Sequence, residues 1–273
     1  MTFHPKSAKP GTPVLLGIPF DANSSWLRGA AGAPAIIRVA FGCASSNLTT
    51  ETGVDLSADG AYCDAGDLKF TFGDPFAAIE AKVGELLDHN LRPVCMGGDH
   101  SITLPIVRAF GQRIPDLTIL HFDAHPDLYD ELEGNRQSHA CPFARIMEEK
   151  AAKRLIQVGI RNMTAHQREQ AERFGVEVIE MRHLPALDRM KVDGPVYISF
   201  DMDALDPAFA PGISHREPGG MSVREALAHI QAIRGRVAGA DIVEFNPAQD
   251  HTQMTAMVAA KMLKEVMGKM IAG

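Results

Sequence analysis

Apolar runs of β type alternate with amphipathic runs of helical type along the whole chain, and this alternation restricts the fold more than any other feature. The strand-like runs fall at residues 14–18, 93–96, 117–122, 155–159, 176–180, 196–200 and 239–244. Helical periodicity occupies 75–89, 103–110, 165–174, 223–233 and 252–270. Ser222 followed three residues later by Glu225 is a capping-box signature for the start at 223. The strand-like runs are nearly continuous in apolar residues, the pattern of strands buried on both faces. An α/β fold with a central, mostly parallel sheet between helical layers follows. With no internal repeat and no linker in 273 residues, the chain reads as one domain over 1–273.

Polar residues that chemistry can use gather just after these runs. Asp123, His125 and Asp127 follow the run at 117–122, and Asp201 and Asp203 follow the run at 196–200. Extended backbone alternates its side chains with period 2, so each set can share a face. His100 follows the run at 93–96, and Glu244 ends the run at 239–244. Ligands of open α/β sheets bind beyond the carboxyl ends of the strands. If these strands are neighbours, the residues meet in one cleft. Four carboxylates so placed repel unless cations neutralise them. Asp123, Asp127, Asp201 and Asp203 with neutral His100 and His125 balance two divalent cations. Six ligands suffice only if some carboxylates bridge, which puts the cations roughly 3.5–4 Å apart. An oxygen-rich set with two imidazoles suits manganese better than zinc, with nickel and cobalt left open. Such a pair generates hydroxide near neutral pH, so the reaction class is metal-assisted hydrolysis.

Composition excludes other classes. The net charge of −7 argues against a nucleic-acid partner. No apolar stretch approaches the roughly 20 residues of a membrane span, so no membrane partner is expected. The first residues lack the apolar segment of a secretory signal, and Cys43, Cys63, Cys95 and Cys141 form no CxxC pair. The expectation is a cytoplasmic protein with reduced thiols. The lone Trp26 is expected to pack, and His121, inside a strand-like run, to pack or to support a ligand.

The segments GGDHS, FDAHPDLYD, SFDMDALDPAFAPG, PGG and DIVEFNP occur in this order. The set resembles the ureohydrolase superfamily of arginases and agmatinases over nearly the whole chain. EGNRQSHACPFARIMEE and VEFNPAQDHTQMTAMVAAKM resemble its plant-type arginase branch. The resemblance implies a three-layer αβα arginase-like fold and two manganese ions per subunit. It implies His100 and Asp127 on one ion, His125 and Asp203 on the other, and Asp123 and Asp201 bridging both. His139 would shuttle protons and Glu244 would pair with a substrate guanidinium. Hydrolysis would release urea and an amine, in a homotrimer or homohexamer.

The implied substrate is a small guanidino compound: L-arginine first, agmatine as the alternative, another guanidino acid third. Asn135, Ser138 and His215 are candidate substrate contacts, and His215 either lines the mouth of the site or shapes its loop. Arg136 either attracts an α-carboxylate or faces solvent. Rival readings are an amidohydrolase or deacetylase on a related fold, for which one metal would be expected, and a non-catalytic scaffold. The presence of all six ligands disfavours both.

Overall fold

The computed structural model describes residues 3–273. Strands β1 (Pro13–Gly17), β2 (Cys63–Asp67), β3 (Arg92–Met96), β4 (Thr118–Phe122), β5 (Arg154–Ile160), β6 (Glu177–Glu180), β7 (Pro195–Asp201) and β8 (Arg236–Val243) form one sheet. Its order is β2-β1-β3-β8-β7-β4-β5-β6, and every pairing is parallel. The helices are α1 (Ala33–Phe41), α2 (Pro75–Asp88), α3 (Thr103–Gly111), α4 (Pro142–Glu148), α5 (Ala165–Phe174), α6 (Val223–Ala232) and α7 (Met254–Ala272).

Strand alternation builds the layers. Leu15, Val94, Leu120 and Ile198 pack on one face with Ile37 of α1, Leu227 of α6 and Leu263 of α7. Val14, Leu16, Cys95 and Ile119 pack on the other with Ile79 of α2, Ile106 of α3 and Phe143 of α4. This is the expected αβα sandwich. The capping box is formed, with Ser222 Oγ accepting from Glu225 N at 3.2 Å and Glu225 Oε2 accepting from Ser222 N at 2.8 Å.

Three elements lie outside the periodicity reading. β2, with the sequence CDAGD, is a half-exposed edge strand with no apolar run. Pairing with β1 and the ion pair Arg38 Nε–Asp64 Oδ2 at 2.8 Å stand in for one. α1 and α4 are short, at 9 and 7 residues, and each begins at a proline in its first turn. The strand order matters most for function. β3, β8, β7 and β4 are adjacent in the middle of the sheet, so their carboxyl ends open onto one spot.

Candidate active site

The polar residues of the cluster sit at the carboxyl end of β7 and on the turns that follow β3, β4, β7 and β8. Asp127 and Glu244 adopt positive φ angles of 48° and 63°, a left-handed conformation that non-glycine residues rarely hold. The loop from β3 presses against the chain near Phe20, where a Cβ on Gly98 would lie 1.7 Å from the Phe20 carbonyl oxygen. Only glycine permits that approach. Asp99 N donates to Phe20 O at 2.9 Å and Glu244 N donates to Gly98 O at 2.9 Å, which locks the loop between its neighbours.

The six candidate metal ligands come together. His100 Nδ1 lies 3.2 Å from Asp123 Oδ2, 3.0 Å from Asp127 Oδ2 and 3.1 Å from Asp201 Oδ2. His125 Nδ1 lies 3.0 Å from Asp203 Oδ2 and 3.5 Å from Asp123 Oδ1. The two oxygens of Asp123 therefore face different imidazoles. Asp201 offers Oδ2 to the cluster, because Oδ1 accepts from Asp203 N at 2.7 Å. Asp203 Oδ1 accepts from Ala124 N at 3.0 Å, which ties the two ligand turns together. All six side chains are buried except half-buried His125.

The donor set fits divalent cations. His100 Nδ1 is buried without a hydrogen-bond partner, although three carboxylate oxygens surround it. Burial and the neighbouring Asp203 and Asp123 push Asp201 well above the ordinary carboxyl range. Burial and Asp123 push Asp203 up to about 6. Burial works the same way on Asp123, but the imidazoles of His121, His100 and His125 outweigh it and hold its carboxyl well below the usual range. Carboxylates crowded against an unpartnered buried nitrogen are the arrangement that cations relieve.

Supporting groups lie beneath. His121 Nε2 meets Asp123 Oδ2 at 2.7 Å, and Gln157 Nε2 donates to His121 Nδ1 at 3.1 Å, so His121 is packed behind Asp123, a candidate ligand. His100 Nε2 meets Ser199 Oγ at 3.0 Å. Buried Asp241 accepts from Ser199 Oγ at 2.8 Å, Tyr197 OH at 2.6 Å and Thr103 Oγ1 at 2.8 Å. Sequence reasoning overlooked Ser199 and Asp241. The available signal was an acid inside the apolar run of β8.

Above the six ligands, His139 Nδ1 meets Glu244 Oε1 at 3.0 Å, and that oxygen also accepts from His100 N at 2.8 Å. Burial opposes charge on His139, yet the Glu244 carboxylate raises it to about 9. Glu244 in turn is held below its ordinary value, against burial, by His139. Ser25 Oγ, also overlooked, lies 2.9 Å from His139 Nε2. A cavity of about 160 Å³ is lined by Ser25, His125, Asp127, His139, His215 and Glu244, together with Tyr129, Asn162 and Gln167.

The candidate substrate contacts are placed differently from one another. His215 lines this cavity. Asn135 is exposed and donates from Nδ2 to Asn23 Oδ1 at 3.2 Å, and Ser138 is buried with its hydroxyl accepting from Ala140 N at 3.3 Å. Neither of these two is among the residues lining the cavity. Arg136 faces solvent, with its side chain 47% exposed, and its guanidinium pairs with Asp130 at 2.8 Å and Glu148 at 2.9 Å, so it does not reach into the cavity. Trp26 is 60% exposed and is not a packing residue. The four cysteines are free, and no helix among the described residues is long and apolar enough to cross a membrane.

Comparison with known proteins agrees with this geometry. Residues 12–268 match the model of the Arginase family. An arginase of Glycine max is 46% identical over 277 residues, which covers 95% of this chain and 79% of that protein. An agmatinase of Bacillus subtilis is 35% identical, covering 93% of this chain and 90% of that protein. The structure of an arginase from Medicago truncatula superposes with a TM-score of 0.90 at 43% identity, covering 95% of this chain and 87% of that one. With its parallel sheet, its cluster of acids and imidazoles and matches of this extent, the chain belongs to the arginase family and is an amidinohydrolase.

Proposed function

We propose that the protein is a binuclear manganese hydrolase that cleaves the guanidino group of L-arginine to release urea and L-ornithine. The observation that carries this reading is the convergence of His100, Asp123, His125, Asp127, Asp201 and Asp203 directly below the His139–Glu244 pair. When bound there, two manganese ions supply a water-derived nucleophile at neutral pH. The residues do the rest. Glu244 presents a carboxylate to the planar donor face of a guanidinium. Its anchorage to His100 N places that guanidinium over the ligand cluster. His139 carries a proton on the cavity wall and can pass it from Nε2, the nitrogen facing Ser25, to the departing amine.

Agmatine remains the alternative substrate, with other guanidino acids behind it. The preference for arginine rests on the higher identity to plant arginases, 46% against 35% for the agmatinase. It no longer draws on Arg136, whose charge is already paired. A scaffold without activity has no use for a ligand set whose buried carboxylates crowd one another. We further propose one domain over 1–273, assembly as a homotrimer or homohexamer, and a cytoplasmic location. The last is open to test because the arginase of Arabidopsis thaliana at 46% identity is named mitochondrial.

The deciding experiment is urea release by manganese-loaded protein from L-arginine, agmatine, 4-guanidinobutyrate and guanidine. Arginine is expected to give the highest kcat/KM. A higher value for agmatine would replace the substrate, and no urea from any of them would remove the proposed function.

A further inference from the structure

Three side chains that the six-ligand cluster does not use meet at the substrate end of the cavity. One ligand atom each from His139, His215 and Glu244 lies within 4.8 Å of the others. The rings of His139 and His215 have centroids 4.9 Å apart. Ser25 Oγ stands between them, 2.9 Å from His139 Nε2 and 3.5 Å from His215 Nε2. The segment carrying His215 is fastened in place, since Ser214 Oγ donates to Leu27 O at 2.8 Å and accepts from Asn246 Nδ2 at 2.9 Å. Ile213 bridges to Phe245, beside Glu244.

We propose that His139, His215 and Glu244 form a third cation site, selective for zinc over manganese, and that filling it switches the enzyme off. The inference rests on the proposed roles of His139 and Glu244. Two imidazoles and one carboxylate, with a fourth position open to water, are a donor set that zinc favours. The six-ligand cluster is richer in oxygen, which suits manganese. Donor atoms on one zinc stand roughly 3.3 Å apart, so donors now within 4.8 Å of one another must draw closer as the ion enters. Charge does not forbid a third ion. Four carboxylates offset two divalent cations below, and Glu244 brings its own negative charge above. A zinc ion there would hold the carboxylate meant for the guanidinium and the imidazole meant for the proton. Inhibition would therefore compete with substrate.

The test counts metal. Manganese-loaded protein is dialysed against excess zinc, and total manganese plus zinc per chain is measured before and after, so exchange of one metal for the other leaves the total unchanged. The wild type is expected to gain one equivalent, and His215→Ala and His139→Asn none. In kinetics, the zinc concentration that halves each protein's own rate should rise about tenfold or more in His215→Ala. No gain in the wild type, or an equal gain in both variants, overturns the third site. The manganese count before zinc is added tests the binuclear reading separately, because a value other than two per chain would sink that reading and leave the zinc increment to be judged alone.

Discussion

Ser199 Oγ lies 3.0 Å from His100 Nε2, and this contact decides which nitrogen of the imidazole is free. A hydroxyl has one proton, and Ser199 gives it to Asp241 at 2.8 Å. Ser199 must then accept from His100 Nε2–H. Without metal the three carboxylates facing Nδ1 favour a proton there, but in the neutral imidazole that a cation requires, the proton stays on Nε2 and Nδ1 is left with a bare lone pair towards Asp123, Asp127 and Asp201. Asp241 of β8 thus orients His100, a proposed metal ligand, on the loop after β3.

Asp241→Asn should reverse this chain of protons. The amide can donate to Ser199, which then donates to His100 Nε2 and moves the imidazole proton to Nδ1. Metal affinity should fall about 10–100-fold. Competition with a chelator of known affinity measures it, and wild-type affinity in the variant would refute the assignment of the proton.

Asp201→Ala removes an oxygen that faces His100 and the acceptor of Asp203 N. The expected outcome is loss of both activity and bound metal. A variant that keeps two metals and normal turnover would show that Asp201 does not bridge them.

His139→Asn should act on rate and not on metal. General acid contributions are typically 10²–10⁴-fold, so kcat should drop by about that factor. Metal content should stay at the wild-type value, since His139 touches Glu244 and Ser25 and no member of the six. Loss of metal in this variant would contradict its placement.

Stability should depend on pH differently with and without metal. Burial and Asp123 raise Asp203 to about 6 from an ordinary 3.8. A carboxyl with a raised folded-state value binds more protons folded than unfolded within that window, so its contribution falls as pH rises. Metal-free protein should therefore lose some stability from this group between about pH 4 and 6. Metal binding requires the deprotonated acid, so it gains over the same range. The gap in Tm between loaded and stripped protein should widen as pH rises through 6, and a constant gap would argue against carboxylate ligation.

Gly98→Ala should destabilise the fold by about 1–3 kcal/mol, because the added Cβ would sit 1.7 Å from the Phe20 carbonyl oxygen and one backbone must move. Denaturant unfolding reads this directly. An unchanged midpoint would mean that the two segments are looser than their hydrogen bonds indicate.

Asp123, His125, Asp127, Asp201 and Asp203 were legible because charges directly after buried strands have few structural explanations. Their convergence was not, since strand order arises from long-range packing that local periodicity does not encode. β2 escaped because CDAGD has no apolar run, and only the folded chain shows that it pairs with β1, packs Cys63 and Ala65 against the core and meets Arg38 through Asp64. Arg136 was open to two readings because its partners, Asp130 and Glu148, are brought to it by the loop before α4 and by the last residue of α4. Ser25 and Asp241 have ordinary local contexts, and only the folded chain shows what each touches.

The strand order also separates durability from function. The segments that carry the six candidate ligands and Glu244 hang from β3, β8, β7 and β4, while the outer strands β2 and β6 carry none of them. Local opening starts where few apolar contacts hold a strand. Amide protons at the two margins should exchange with solvent well before those of the middle four. The margins can fray and rejoin without disturbing the acid and imidazole cluster, and substitutions can accumulate there at little cost to it.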